Sequence, residues 1–125
     1  MQNLVRLNMI QKCKHGAIWL ANLKPARGTE PGKTRPVLVV QNQALLDIEH
    51  PSTLIIPLTT HLIDNTKPLR LRIKAKANLE KDSDLLIDQI RAIDNKRLIT
   101  GPLLECEPEF MEIVYQAVRE VMGFK

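Results

Sequence analysis

Aromatic residues are scarce in this sequence. Trp19, Phe110, Tyr115 and Phe124 are the only ones in 125 residues. So few rings exclude the stacked aromatic platform with which many single-strand binders hold several bases. Cysteine is equally sparse. Cys13 and Cys106 lie far apart and match no metal or redox spacing, so they read as two free thiols kept in a reducing compartment. Ser52 and Ser83 are the only serines, and neither sits in a G-x-S-x-G elbow. His15, His50 and His61 have no zinc-ligand spacing, and no H-E-x-x-H is present. A glycine-rich phosphate loop of the Walker or dinucleotide type is also missing. No apolar run approaches the ~20 residues of a membrane span, and the first fifteen residues hold no signal-peptide core. These absences argue against metal-dependent hydrolysis, serine hydrolysis, nucleotide cofactors and membrane insertion. We expect no metal, no cofactor and no membrane association.

What remains is ordinary in composition: 44% apolar and 26% charged residues, with a formal charge of +4 and a pI near 9.3. That balance permits an anionic partner such as nucleic acid without requiring one. The length suits one domain with a real core. Residues 1–14 read as an N-terminal extension, and 15–125 as the single domain.

Periodicity sets the elements. A first strand is expected over 17–23, a second over 36–41 and a third over 53–58, with Pro57 marking a bend, bulge or edge. A connection over 42–52 has room for a helical turn at 44–46. In 69–76, Leu69, Leu71, Ile73 and Ala75 alternate with Arg70, Arg72, Lys74 and Lys76, which predicts a strand with one cationic face. That face either tracks an RNA backbone or is a solvated face that discourages edge pairing. Further β runs fall at 85–87 and 90–93, a short helical turn near 94–98, and an extended piece at 100–106. Residues 107–122 form the one clear helix. Pro108 sits at its first turn, and Phe110, Val114, Ala117, Val118 and Val121, with Met111 and Met122, form its apolar stripe. Gly123 ends it. Short strands followed by one amphipathic helix predict a mainly β (α+β) domain, a small antiparallel barrel with a C-terminal helix.

One stretch organises the rest: residues 28–42, G-T-E-P-G-K-T-R-P-V-L-V-V-Q-N. Its first half is a polar loop punctuated by Gly28, Pro31 and Gly32. Its second half, Val37 to Val40, is a branched apolar run suited to a strand buried on both faces. Arg35 stands where loop meets strand. Locally it is either a functional cation held by a rigid scaffold or a solvated surface residue.

The stretch resembles the signature of MazF/PemK-type toxins of bacterial toxin–antitoxin systems, which runs approximately G-[ST]-E-Q-x-G-x-R-P-V-L-V-[IV]-Q-N. Three more segments match in order. Residues 16–19, G-A-I-W, are similar to the family's opening G-D-[IV]-[WY]. Residues 55–59, I-I-P-L-T, resemble the strand that ends in the family's active-site threonine. Residues 81–94, K-D-S-D-L-L-I-D-Q-I-R-A-I-D, resemble R-D-S-x-[IV]-L-L-E-Q-I-R-T-I-D.

The resemblance implies an SH3-like barrel with a C-terminal helix, assembled as a homodimer in the cytoplasm. It implies a metal-independent endoribonuclease that cuts single-stranded RNA through attack by the ribose 2′-hydroxyl. It also implies a MazE/PemI-like antitoxin whose acidic tail occupies the RNA site. Arg35 matches the family's catalytic arginine, Thr59 its threonine and Glu30 its loop glutamate. A guanidinium suits this chemistry because it clamps two phosphate oxygens and never loses its charge. Thr60 is the alternative to Thr59, since a one-residue slip changes which side chain faces the site. Lys33, Thr34, Thr60, His61, Arg70, Arg72, Gln89 and Arg91 are candidate RNA contacts. His61 is a general acid by its ordinary pKa or a plain surface histidine. Gln89 and Arg91 have structural roles as a ready alternative.

Three positions depart from the pattern: Ala17 for aspartate, Pro31 for glutamine, and Lys33 for a glycine or other small residue. They bear on RNA preference more than on the presence of Arg35 and Thr59. Two alternatives belong to other classes. One is a CcdB-like poison of DNA gyrase, which acts by binding a protein. The other is a barrel that binds RNA without cutting it.

Overall fold

The computed structural model describes residues 13–24, 28 and 33–124. Among them the chain forms β1 (Ala17–Asn22), β2 (Thr34–Val39), α1 (Gln43–Asp47), β3 (Ser52–Thr59), β4 (Arg70–Ile73), β5 (Ser83–Leu86), β6 (Arg91–Asp94), β7 (Leu98–Glu105) and α2 (Pro108–Met122). Two 3-10 turns, Ile87–Gln89 and Asn95–Arg97, bracket β6. Strand pairing is antiparallel throughout, in the order β4-β5-β3-β2-β1-β7, with β6 also on β3.

The central strands are apolar on both faces because both faces are covered. Ile18, Leu38, Ile56 and Leu58 join the core that includes Met111, Val114 and Ala117 of α2. Ala17, Trp19, Ala21, Val37, Val39 and Ile55 join a second core with Cys13, Leu23, Leu46, Ile93 and Leu98. Adjacent residues alternate between the two cores, as the period of two demands. Full burial of each large aliphatic side chain contributes about 1.5–3 kcal/mol. The predicted stripe on α2 is correct apart from Met122, which is 59% exposed at the helix's last turn. Gly123 ends the helix at φ 78, and its N–H donates to Arg119 O at 2.9 Å.

The barrel expected from the sequence is a loose one, because the sheet does not close. Among the described residues β4 pairs only with β5, and β7 only with β1. The turn after β4 comes near closing it: Asn78 N–H donates to Leu103 O of β7 at 2.9 Å. The strand expected over 69–76 is shorter than its alternation suggested. Past Ile73 the chain turns, with Ala75 N–H bonded to Asp82 Oδ1 at 2.7 Å, a bridge from Lys76 to Leu79, and Ala77 at φ 52. The run 85–87 also shifts: β5 starts at Ser83, and Ile87 already belongs to a 3-10 turn.

Pro57 sits inside β3 without costing a ladder bond. Val40 N–H donates to Leu54 O, so 38/56 is also a bonded pair and the main-chain nitrogen at 57 faces away from β2. On that far side β3 exchanges partners. β6 pairs with it up to Ile55, and β5 takes over at Leu58. Proline occupies the gap.

The end of the 28–42 stretch is structural. Gln41 is buried; its amide donates to Ser52 O and accepts from Leu54 N–H, each at 3.2 Å. Asn42 caps α1 through Ala44 N–H at 2.8 Å. His15 ties this corner to α2. Its Nδ1 lies 2.9 Å from Gln41 O, to which it donates, and its Nε2 is in contact with the Tyr115 hydroxyl. Burial, then Glu112, raises the Tyr115 pKa. Cys13 and Cys106 are free thiols pushed up by burial, to about 12 and about 11, and so stay protonated and unreactive at neutral pH. Among the described residues no helix is long and apolar enough to cross a membrane.

Candidate active site

The loop between β1 and β2 is held at its base. Leu23 N–H donates to Lys33 O at 2.8 Å, Lys24 N–H to Asn22 Oδ1 at 3.1 Å, and the Arg97 guanidinium to Lys24 O at 2.9 Å. Arg35 enters β2 opposite Ala21, so its position is set by the β1 ladder. On its other side the β2–β3 pairing runs 39/55, 38/56, 37/57 and stops. The next bonded pair would need the N–H that Pro36 lacks. The strands part where Arg35 would have met Thr59. A pocket of about 230 Å³ opens there, lined by Lys33, Thr34, Arg35, Pro36, Leu58, Thr59, Thr60 and Ser83. Two cations and three threonines border one depression, a combination of charge and hydrogen-bond donors of the kind that can hold an anion.

Thr59 is oriented by its own turn. Its Oγ1 accepts from His61 N–H at 3.1 Å, which occupies a lone pair and leaves the hydroxyl proton to donate outward. That turn is anchored by an ionic cluster. Asp84, on β5 opposite Thr59, is 1% exposed and accepts from Arg72 Nε at 2.6 Å, Ile63 N–H at 3.0 Å and Arg70 at 3.3 Å. Arg70 also donates to His61 O at 2.9 Å, and Arg72 to Asp64 at 2.8 Å. Burial by itself would raise the Asp84 carboxyl. Its hydrogen bonds to Arg72, Ile63 and Arg70, with the attraction of Arg72, outweigh burial and hold it below the usual aspartate value.

Lys33, Thr34, Arg35, Thr59 and Thr60 all line this one pocket. Glu30 lies outside the described residues. His61 is exposed beside the pocket and takes part through its main chain. Arg70 and Arg72 spend their charge on Asp84 and Asp64 and hold the 59–64 turn in place. Lys74 and Lys76 pair loosely with Asp82 and Glu107, at 3.8 and 4.0 Å. Of the cationic stripe, Arg70 and Arg72 are thus closely ion-paired, while Lys74 and Lys76 stay largely exposed. Gln89, in a 3-10 turn, and Arg91, opposite Ile55 on β6, do not line the pocket. Sequence reasoning missed Asp84 and Ser83. A signal for Asp84 was present in the two arginines at a spacing of two, which need a shared counter-charge if their strand is not solvated.

A family model described as PemK-like, MazF-like toxin of type II toxin–antitoxin systems matches residues 14–122. The chain belongs to this toxin family. It is 36% identical over 110 residues to Endoribonuclease EndoA of Bacillus subtilis strain 168, covering 85% of this chain and 90% of that one. Its fold is similar to that of MazF from Deinococcus radiodurans, with a TM-score of 0.74 at 20% identity over 90% of this chain and 97% of the other. It is also similar to a mycobacterial endoribonuclease in complex with its cognate antitoxin, with a TM-score of 0.66 at 18% identity over 90% and 95%. Within the family signature, Lys33 stands where glycine is common, and the backbone explains that preference. Lys33 has φ 63, a left-handed conformation that glycine adopts freely.

Proposed function

We propose that this chain is the toxin of a cytoplasmic toxin–antitoxin pair and cuts single-stranded RNA without a metal ion. The observation that carries the reading is the meeting of Arg35 and Thr59 in one cationic pocket at the point where β2 and β3 part. The scissile phosphate sits there. The ribose 2′-oxygen attacks phosphorus, the bond to the 5′-oxygen breaks, and a 2′,3′-cyclic phosphate and a 5′-hydroxyl result. Charge builds on the non-bridging oxygens in the transition state. Arg35 holds them in place, and the Thr59 hydroxyl donates a further hydrogen bond. We assign Glu30 to accept the 2′-hydroxyl proton, while the leaving 5′-oxygen takes its proton from water. Lys33, Thr34 and Thr60 hold the strand beside the reacting phosphate. Two copies of the chain form the working toxin. A cognate antitoxin silences it by laying an acidic segment over the same cations.

The test is cleavage of a mixed RNA pool by purified protein in EDTA, with the new ends mapped. Cuts that survive chelation, carry cyclic phosphates and fall at least about 100-fold in Arg35→Ala are the expected outcome. Intact RNA at micromolar protein, with antitoxin shown to be absent, would overturn the reading. Accumulation of gyrase–DNA cleavage complexes instead would point to the gyrase poison.

A further inference from the structure

A second depression of about 330 Å³ adjoins the phosphate pocket and shares Pro36, Thr60 and Ser83 with it. Its chemistry differs. Leu20 of β1, which pairs with Pro36, and Leu79 and Leu103 contribute apolar surface, while Asn78, Glu80 and Lys81 supply the polar part. Lys81 and Glu80 offset each other in charge, so this depression does not attract a second phosphate as the first does. It suits an uncharged flat group with apolar faces and a hydrogen-bonding edge. The wall is also preformed. Leu79 is buried in the core, Asn78 N–H is bonded to Leu103 O at 2.9 Å, and the Ser83 hydroxyl donates to Lys81 O at 3.0 Å.

Building on the nuclease reading, we infer that this depression is a nucleobase subsite and that Glu80 selects which base enters it. Because the two depressions share three residues, a base seated here belongs to a nucleotide bonded to the phosphate at Arg35 and Thr59. Leu79, Leu103 and Pro36 contact its faces. A carboxylate only accepts hydrogen bonds, so Glu80 favours a base whose edge carries an exocyclic amino group over uracil, whose one edge donor, N3–H, is flanked by two carbonyl oxygens that repel the carboxylate. Asn78 both donates and accepts and adds a second edge contact. The scarcity of aromatic residues, none of which lines this depression, agrees with a site that holds one base in a cleft rather than several on a platform.

The experiment is cleavage of a random-sequence RNA pool by wild type and by Glu80→Ala, with every cut site sequenced. Glu80 is exposed, so its removal leaves the fold intact. The expected result is a relaxation of at least about five-fold in the preference against uracil at one position next to the cut, with the other positions unchanged. Asn78→Ala should relax the same position. An unchanged profile at every position overturns the subsite while leaving the nuclease reading standing, and so does an even loss of preference across all positions. If the wild type cuts no RNA in the pool, the nuclease reading falls and takes the subsite with it.

Discussion

Two residues show how a single backbone or side-chain atom decides a position. Lys33 carries a side chain at φ 63, where glycine is free of strain. Lys33→Gly relieves that strain and should raise stability by about 1 kcal/mol, measured by urea unfolding. The same change removes a cation from the pocket at Arg35 and Thr59, the proposed phosphate site. RNA affinity should fall, and the slope of log K against log salt should become shallower by about 0.7, the value for one phosphate contact on a single strand. Stability and binding moving in opposite directions would separate the conformational role of Lys33 from its charge. Gly101 is the second case. A Cβ there would lie 2.5 Å from the ring of the buried Trp19, which cannot swing aside. Gly101→Ala should lower stability by about 1–3 kcal/mol, visible as a reduced midpoint in denaturant with an unchanged slope.

At the scale of the element, the decisive feature is the anchored turn after β3. Its main chain is bonded to Asp84 at Ile63 and to Arg70 at His61, so β4 and β5 fix the position of Thr59 from below. Asp84→Asn keeps the shape of the side chain and removes the charge that Arg70 and Arg72 share. The variant should melt at a lower temperature at neutral pH. The Asp84 pKa is depressed on folding. Its stabilisation is therefore fully present above the ordinary aspartate value near 4 and is lost as pH falls through the lower folded value. Melting curves from pH 7 down to about 2.5 should thus show wild type and Asp84→Asn converging only on the acid side. A constant gap across that range would mean that the carboxylate's charge is not what matters. Because the residue positions the threonine rather than touching RNA, the variant's kcat should fall more than its KM rises.

At the scale of the molecule, the sheet leaves its two edge strands unclosed, and several apolar residues stay in solvent. Ile113 on α2 and Leu69 before β4 are about half exposed, and Ile113 shares a shallow groove with Pro68. A second copy covering such surface agrees with the proposed homodimer. Light scattering on purified protein should return twice the 14.2 kDa of one chain. A monomer at micromolar concentration would limit the site to the residues of one copy.

Much of this was legible in the sequence, and the reason is local. The β-branched run at 37–40, the amphipathic period of 107–122 and the Gly123 stop are short-range signals, so the strand, the helix and its end could be read without tertiary contacts. The family signature also singled out Arg35 and Thr59, which lie far apart along the chain, and tertiary structure sets both against one pocket. Alternation over 69–76 was legible too, yet its meaning was not. The same four cations could have faced RNA or solvent, and only the pairing of β4 with β5 set Arg70 and Arg72 against Asp84. That the barrel stays open was likewise decided by tertiary structure, because the two edge strands do not pair with each other. The 28–42 stretch divides the same way. Its residue types determined a loop, a cation and a buried strand, while the parting of β2 from β3 beyond Val37 and Pro57, where Pro36 has no N–H to offer, made the cation one wall of a pocket.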